Sequence, residues 1–168
     1  MDLLEAIRKS GKKSKELNTF VAKLIFDQKL SGKDFTAALA SGNDSERGTC
    51  LEALEFATQK NPEIAKQYLP EIISSLTDKA PRVKWEAARV IGNIAGKFPA
   101  EAAKAVNNLF ANTNDKGTVV RWSAAFALGE ILKSSKDKSL LNKIEALSKK
   151  ETNNGVKNVY LKALKLVQ

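Results

Sequence analysis

A chain of 168 residues, 43% hydrophobic with only four prolines and nine glycines, has the size and make-up of one folded domain and excludes a disordered or fibrous protein. Its formal charge of +9 suits acidic partners or polyanions, and the excess lies toward the C-terminus, where residues 121–168 hold ten basic against four acidic side chains. The absence of histidine removes the commonest general base and transition-metal ligand, and a single cysteine excludes an intrachain disulfide.

The opening MDLLEAIRKS carries Asp2 and Glu5 and has no continuous apolar core, so it does not read as a secretory signal. FVAKLIF, the most apolar early run, contains Lys23 and falls far short of the roughly 20 residues that cross a bilayer. No membrane association is expected, and with Cys50 alone the chain suits a reducing, cytoplasmic setting. Residues 3–29 predict one or two helices, interrupted by RKSGKKSKE, which has no apolar side chain to bury.

Next, SGKDFTAALA offers Ser31 and Asp34 as a capping pair for a short helix, and SERGTCLEALEFAT follows as a second helix with Cys50 as a small buried side chain. A helix is predicted from Pro62 to Leu76, opened by its proline and carrying Ile64, Ala65, Tyr68, Leu69, Ile72 and Ile73 at helical spacing. Another runs from about Pro81 to Lys97, with Val83, Ala87, Val90, Ile91 and Ile94 as one stripe and Pro99 closing it.

RVKWEAARVIGNIAGKFP is then answered by VVRWSAAFALGEI, 37 residues on from Trp85 to Trp122. The same offset pairs Pro62 with Pro99, Asp78 with Asp115, Val83 with Val120, Ala87 and Ala88 with Ala124 and Ala125, and Gly92 with Gly129. GVKNVYLKALKLV repeats the pattern more weakly after a one-residue contraction. Such self-similarity marks a stacked-repeat architecture of helical pairs, whose alanines and glycines let neighbouring helices approach closely. The organisation expected is one domain over 1–168: a cap at 1–30, then units near 31–60, 61–97, 98–134 and 135–168.

On Asp78, Val83, Lys84, Ala87, Ile91 and Gly92, and on Asp115, Val120, Arg121, Ala124, Leu128 and Gly129, the chain resembles the HEAT-repeat family in its armadillo-like form across residues 31–168. The resemblance implies an all-α, right-handed α-α superhelix of about four helical hairpins behind an N-terminal cap. Pro70 suits the family pattern, although its counterpart is Asn107; Glu151 replaces the aspartate in the last unit, and Ser41 stands there in the first.

The pairs Asp78 with Lys84, Asp115 with Arg121 and Glu151 with Lys157 each span a turn between two helices. They read as a structural ladder, since a packing solution recurs in every repeat and a chemical site rarely does. Trp85 and Trp122 fall outside the buried stripe, with Arg89 and Asn93, and Phe126 and Glu130, on the following turns. HEAT resemblance places these six residues on the concave side, where Trp and Arg are common interface anchors, and Lys162 in the last helix joins the candidates.

The reading is a non-enzymatic module that holds another protein or peptide, acidic by charge, on its concave face, with no cofactor, metal or small-molecule substrate. Nucleic acid is the alternative partner, supported by the net charge and by Lys157, Lys162 and Lys165. A basic solenoid with concave tryptophans also looks like the HEAT-like alkylpurine DNA glycosylases, which place a carboxylate beside the aromatic pocket. Here the residues one turn beyond the tryptophans are Arg89 and Phe126, and neither can act as that carboxylate; Glu86 and Glu130 lie nearby without matching the motif.

Overall fold

The computed structural model describes residues 1–168 apart from the side chain of Ser14. The chain opens with α1 (Leu3–Lys9) and α2 (Ser14–Phe26), followed by α3 (Gly32–Ser41) and α4 (Asp44–Lys60). A 3-10 helix (Pro62–Tyr68) leads directly into α5 (Leu69–Ser75), and α6 (Pro81–Ala95) completes that pair. The third pair sets α7 (Pro99–Ala103) and α8 (Val106–Asn112) against α9 (Thr118–Ser135), and the last is α10 (Lys138–Lys150) with α11 (Asn154–Val167). No strand occurs among the described residues, and the helices wind as a right-handed α-α superhelix.

Local chemistry sets the helix starts. Ser31 Oγ accepts the Asp34 N–H at 3.2 Å while the Asp34 carboxylate accepts the Ser31 N–H at 2.8 Å, a reciprocal cap that satisfies two orphan donors at the start of α3. Asn43 and Glu46 repeat the arrangement at α4. Prolines open α6 and α7, where the missing N–H costs no intrahelical bond.

The continuous helix expected from Pro62 to Leu76 is instead a 3-10 helix followed by α5, with Pro70 in the first turn of α5. A proline ring within one helix would clash with the carbonyl four residues earlier. The next unit breaks between Ala103 and Val106 although Asn107 stands in the proline's place, so Pro70 accommodates the bend rather than causing it. The bend serves burial: Ala65, Tyr68 and Ile72 in one unit, and Ala102, Ala105 and Leu109 in the next, are all fully buried.

Two layers result. Helices α2, α4, α6, α9 and α11 pack serially along their lengths, whereas α3, α5, α8 and α10 meet mainly their own partners. Val83 and Val120 are 1% exposed, and Ala87, Ala88, Ala124 and Ala125 are equally buried between the layers or between neighbours. The serial layer is closely spaced because its contacts are small. A Cβ added at Gly129 would fall 2.9 Å from that of Ala163, and one at Gly92 would collide with the ring of Phe126. When one layer of a two-layer stack is more closely spaced, the stack curves toward it, so α2, α4, α6, α9 and α11 form the inner side.

Candidate functional site

The turn edge of the stack is occupied by a charge ladder. Asp78, Asp115 and Glu151 each accept a backbone N–H two residues on, from Ala80 at 2.8 Å, Gly117 at 2.7 Å and Asn153 at 2.8 Å. Each acid also pairs with the basic residue of the preceding unit: Arg47 with Asp78, Lys84 with Asp115, and Arg121 Nε with Glu151 Oε2 at 3.1 Å. Burial pushes the Asp115 carboxyl up, but the hydrogen bonds from Lys84 and Gly117 outweigh it and hold the group below the usual carboxylate range. The Glu151 carboxyl is held down in the same way, by the Asn153 N–H and Arg121 against burial. Lys157, at the same register in α11, is half-buried and joins no ion pair among the described residues. Arg8 Nε meets Glu46 Oε1 at 2.8 Å, which ties the N-terminal helix to α4.

The solvent side of the inner layer has a different character in each helix. On α6, Trp85 is half-buried and its indole N–H donates to Glu86 Oε1 at 3.0 Å. Glu86 is 4% exposed, and its other oxygen has no hydrogen-bond partner. Arg89 lies 3.3 Å from Glu55 Oε1 and 3.8 Å from Glu86 Oε2, while Arg82 pairs with Glu52. Burial pushes the Glu86 carboxyl up to about 7; Trp85 and Arg89 oppose the shift, and Glu52 and Glu55 add to it. Asn93 is used within the fold, its amide donating to the Glu55 carbonyl at 3.1 Å and to Thr58 Oγ1 at 3.2 Å. The two arginines of α6 are therefore neutralised in place, and among the described residues no set of three carboxylates or thiols is disposed to ligate a metal.

On α9 the surface is aromatic and open. Trp122 is 38% exposed and stacks on Phe126 with centroids 5.8 Å apart and planes 14° from parallel. Phe126 is seated over Gly92, so the pair is anchored at its base and exposed at Trp122. Val119, one turn before Trp122, is 51% exposed, and Glu130 pairs with Lys133 in the last turns. On α11, Leu161, Lys162 and Lys165 are exposed, and neither lysine joins an ion pair among the described residues.

The structure thus brings Trp122 and Phe126 into contact, engages Trp85 and Arg89 in a carboxylate network, and leaves Lys162 on the neighbouring inner helix. Sequence reasoning missed the partners of that network, Glu52, Glu55 and Arg82, and an exposed aromatic, Phe56. The signal for Phe56 was present, because it stands one repeat offset before Asn93. The carboxylates had no such signal, since Gly48 and Phe56 occupy the register positions on either side of Glu52 and show no shared charge pattern.

A family model of HEAT repeats matches residues 33–129. Three solved structures are similar in fold: an engineered protein with a TM-score of 0.73 and 18% identity, over 97% of this chain and 47% of that one; a second engineered protein at 0.67 and 18%, over 96% and 77%; and a designed armadillo repeat protein at 0.64 and 16%, over 96% and 80%. The chain spans about half the length of the first of these. No curated protein matches it significantly in sequence.

Proposed function

The chain belongs to the HEAT-repeat family, and from that premise we propose that it is a non-enzymatic docking module whose inner helical face binds another protein, centred on Trp122 and Phe126. The observation that carries this reading is the stacked aromatic pair in the inner layer, exposed at Trp122, with lysines that have no counter-ion on the adjacent helix α11. A large aromatic fixed from below presents apolar area at little entropic cost, which is the character of an interface anchor. A protein suits the face better than nucleic acid because Arg82 and Arg89 already carry carboxylates, which interrupts the continuous positive groove that a phosphate backbone favours. Acidic side chains in the partner match Lys162 and Lys165.

In this reading the chain acts as one domain, with a cap at 1–30 and four hairpins near 31–60, 61–97, 98–134 and 135–168, in a reducing cytoplasmic setting that suits the buried Cys50, whose thiol burial pushes up to about 12. The test is quantitative affinity capture with wild type and Trp122→Ala, the latter checked for unchanged helicity. Partners retained by wild type should be depleted in the variant. Equal recovery of every partner by both proteins would remove the aromatic pair from the interface.

A further inference from the structure

A second exposed aromatic site lies at the other end of the inner layer. Phe26, at the end of α2, and Phe56, about one turn before the end of α4, are 37% and 45% exposed. The Lys60 ammonium sits over both rings, 5.9 Å from the Phe26 centroid and 5.4 Å from that of Phe56. Lysines also lie over Phe98 and Phe110, but those rings are packed against the core, whereas Phe26 and Phe56 are exposed in a chain that buries Phe35 and Tyr68 completely. Lys60 joins no ion pair among the described residues, so the patch is apolar with one open positive charge.

Both ends combine exposed aromatic surface with a lysine that has no counter-ion. Trp122 stacks on Phe126 in α9, with Lys162 exposed on α11, the helix packed against α9; at the other end Lys60 lies over Phe26 and Phe56. Between them, Arg82 and Arg89 of α6 are paired with Glu52 and Glu55 of α4, beside the buried Glu86. Helices α4 and α9 are two neighbour steps apart, α4 on α6 and α6 on α9, at roughly 8–10 Å per step, and Phe56 shares the register of Glu130, two turns or about 12 Å along the axis from Trp122, so the two sites are about 20 Å apart.

We propose that the inner face is two-ended, and that it takes an acidic segment of a partner protein carrying two bulky apolar side chains about 20 Å apart, one seated at Phe26 and Phe56 and the other at Trp122. The proposal rests on the docking reading above and adds the second site and the partner's chemistry. Lys60 and Lys162 each meet an acidic residue flanking an anchor, while the closed charge network of α6 contributes contact and no net attraction. Two linked anchors hold far better than either alone, because the second engages as an intramolecular event.

The experiment is selection of a displayed library of random peptides of roughly 20 residues on the full chain, long enough to span about 20 Å in either an extended or a helical backbone. Enriched peptides should share two bulky apolar positions, each beside Asp or Glu, spaced by about six residues if extended or about 13 if helical. A selected peptide should bind about tenfold more weakly to Phe56→Ala and likewise to Trp122→Ala. Lys60→Glu and Lys162→Glu should weaken it too; both side chains lie on the surface outside the core, so the charge reversals remain informative even if an aromatic variant loses stability. Sensitivity to Trp122→Ala and Lys162→Glu without sensitivity to Phe56→Ala and Lys60→Glu would overturn the two-ended face and leave the docking reading standing. Insensitivity to all four would overturn both. Failure to enrich any peptide, enrichment of basic peptides, or displacement of the selected peptide by a single-stranded oligonucleotide would overturn the acidic-segment assignment.

Discussion

Replacing Glu86 with glutamine should make the protein more stable above neutral pH. The side chain is 4% exposed, one carboxyl oxygen accepts from Trp85, the other has no hydrogen bond, and the nearest cation, Arg89, is shared with Glu55. Burial raises the folded-state value to about 7, against 4.5 for an ordinary glutamate. The folded protein therefore binds this proton more tightly than the unfolded chain does. Below about pH 4.5 both states are protonated and the group costs nothing; as pH rises toward 7 the unfolded chain ionises freely and the folded one does not, so stability falls and then levels off. At about 1.4 kcal/mol per pKa unit, the loss is on the order of 3 kcal/mol. Glutamine keeps the acceptor for Trp85 and never ionises, so Glu86→Gln should match wild type near pH 4.5 and exceed it by roughly 2–3 kcal/mol at pH 8. Urea unfolding of both proteins, followed by far-UV circular dichroism at several pH values between these limits, measures the difference. Other carboxylates cancel in the comparison. Parallel pH profiles for the two proteins, or a variant less stable than wild type at pH 8, would refute the assigned cost of burying this carboxyl.

Asp115→Ala should destabilise by about 1–3 kcal/mol at pH 7, because it removes the Lys84 partner and the Gly117 N–H acceptor together. Since the Asp115 carboxyl is held below its ordinary 3.8, its stabilising contribution is present above that value and lost as pH falls through the lower folded one; thermal melts of wild type and variant should converge in strong acid. Gly92→Ala should cost about 1–3 kcal/mol by driving a methyl into the Phe126 ring, and the emission of the neighbouring Trp122 should change in the folded variant. An unchanged spectrum and melting temperature would mean that α6 and α9 are not in such close contact. Lys136 ends α9 in the left-handed region at φ 52°, so Lys136→Gly should stabilise by roughly 0.5–1 kcal/mol in chemical denaturation.

Particular residues show why the frame was legible and the face was less so. Val83 with Val120, and Gly92 with Gly129, recur because each hairpin must bury the same stripe against the next, and that need writes a period into the chain. The bend between Ala103 and Val106 has no comparable signal, because it arises from fitting an outer helix over an inner one and persists without a proline. On the face, the tryptophans stood out as aromatic residues off the buried stripe. Their different surroundings could not be read from a matching register: Trp85 donates to Glu86, whereas Trp122 stands above Phe126 in solvent.

The sequence by itself determined the all-α repeat, the cap at Ser31 and the positions of the turn-edge acids, because helical spacing and capping act over a few residues and the repeat compels each unit to bury the same side. Tertiary structure alone decided which cations remain open. Arg82 and Arg89 meet glutamates from α4, about 30 residues away in the chain, while Lys60 and Lys162 meet none, and the balance of charge on a surface depends on distances across helices that no local pattern encodes.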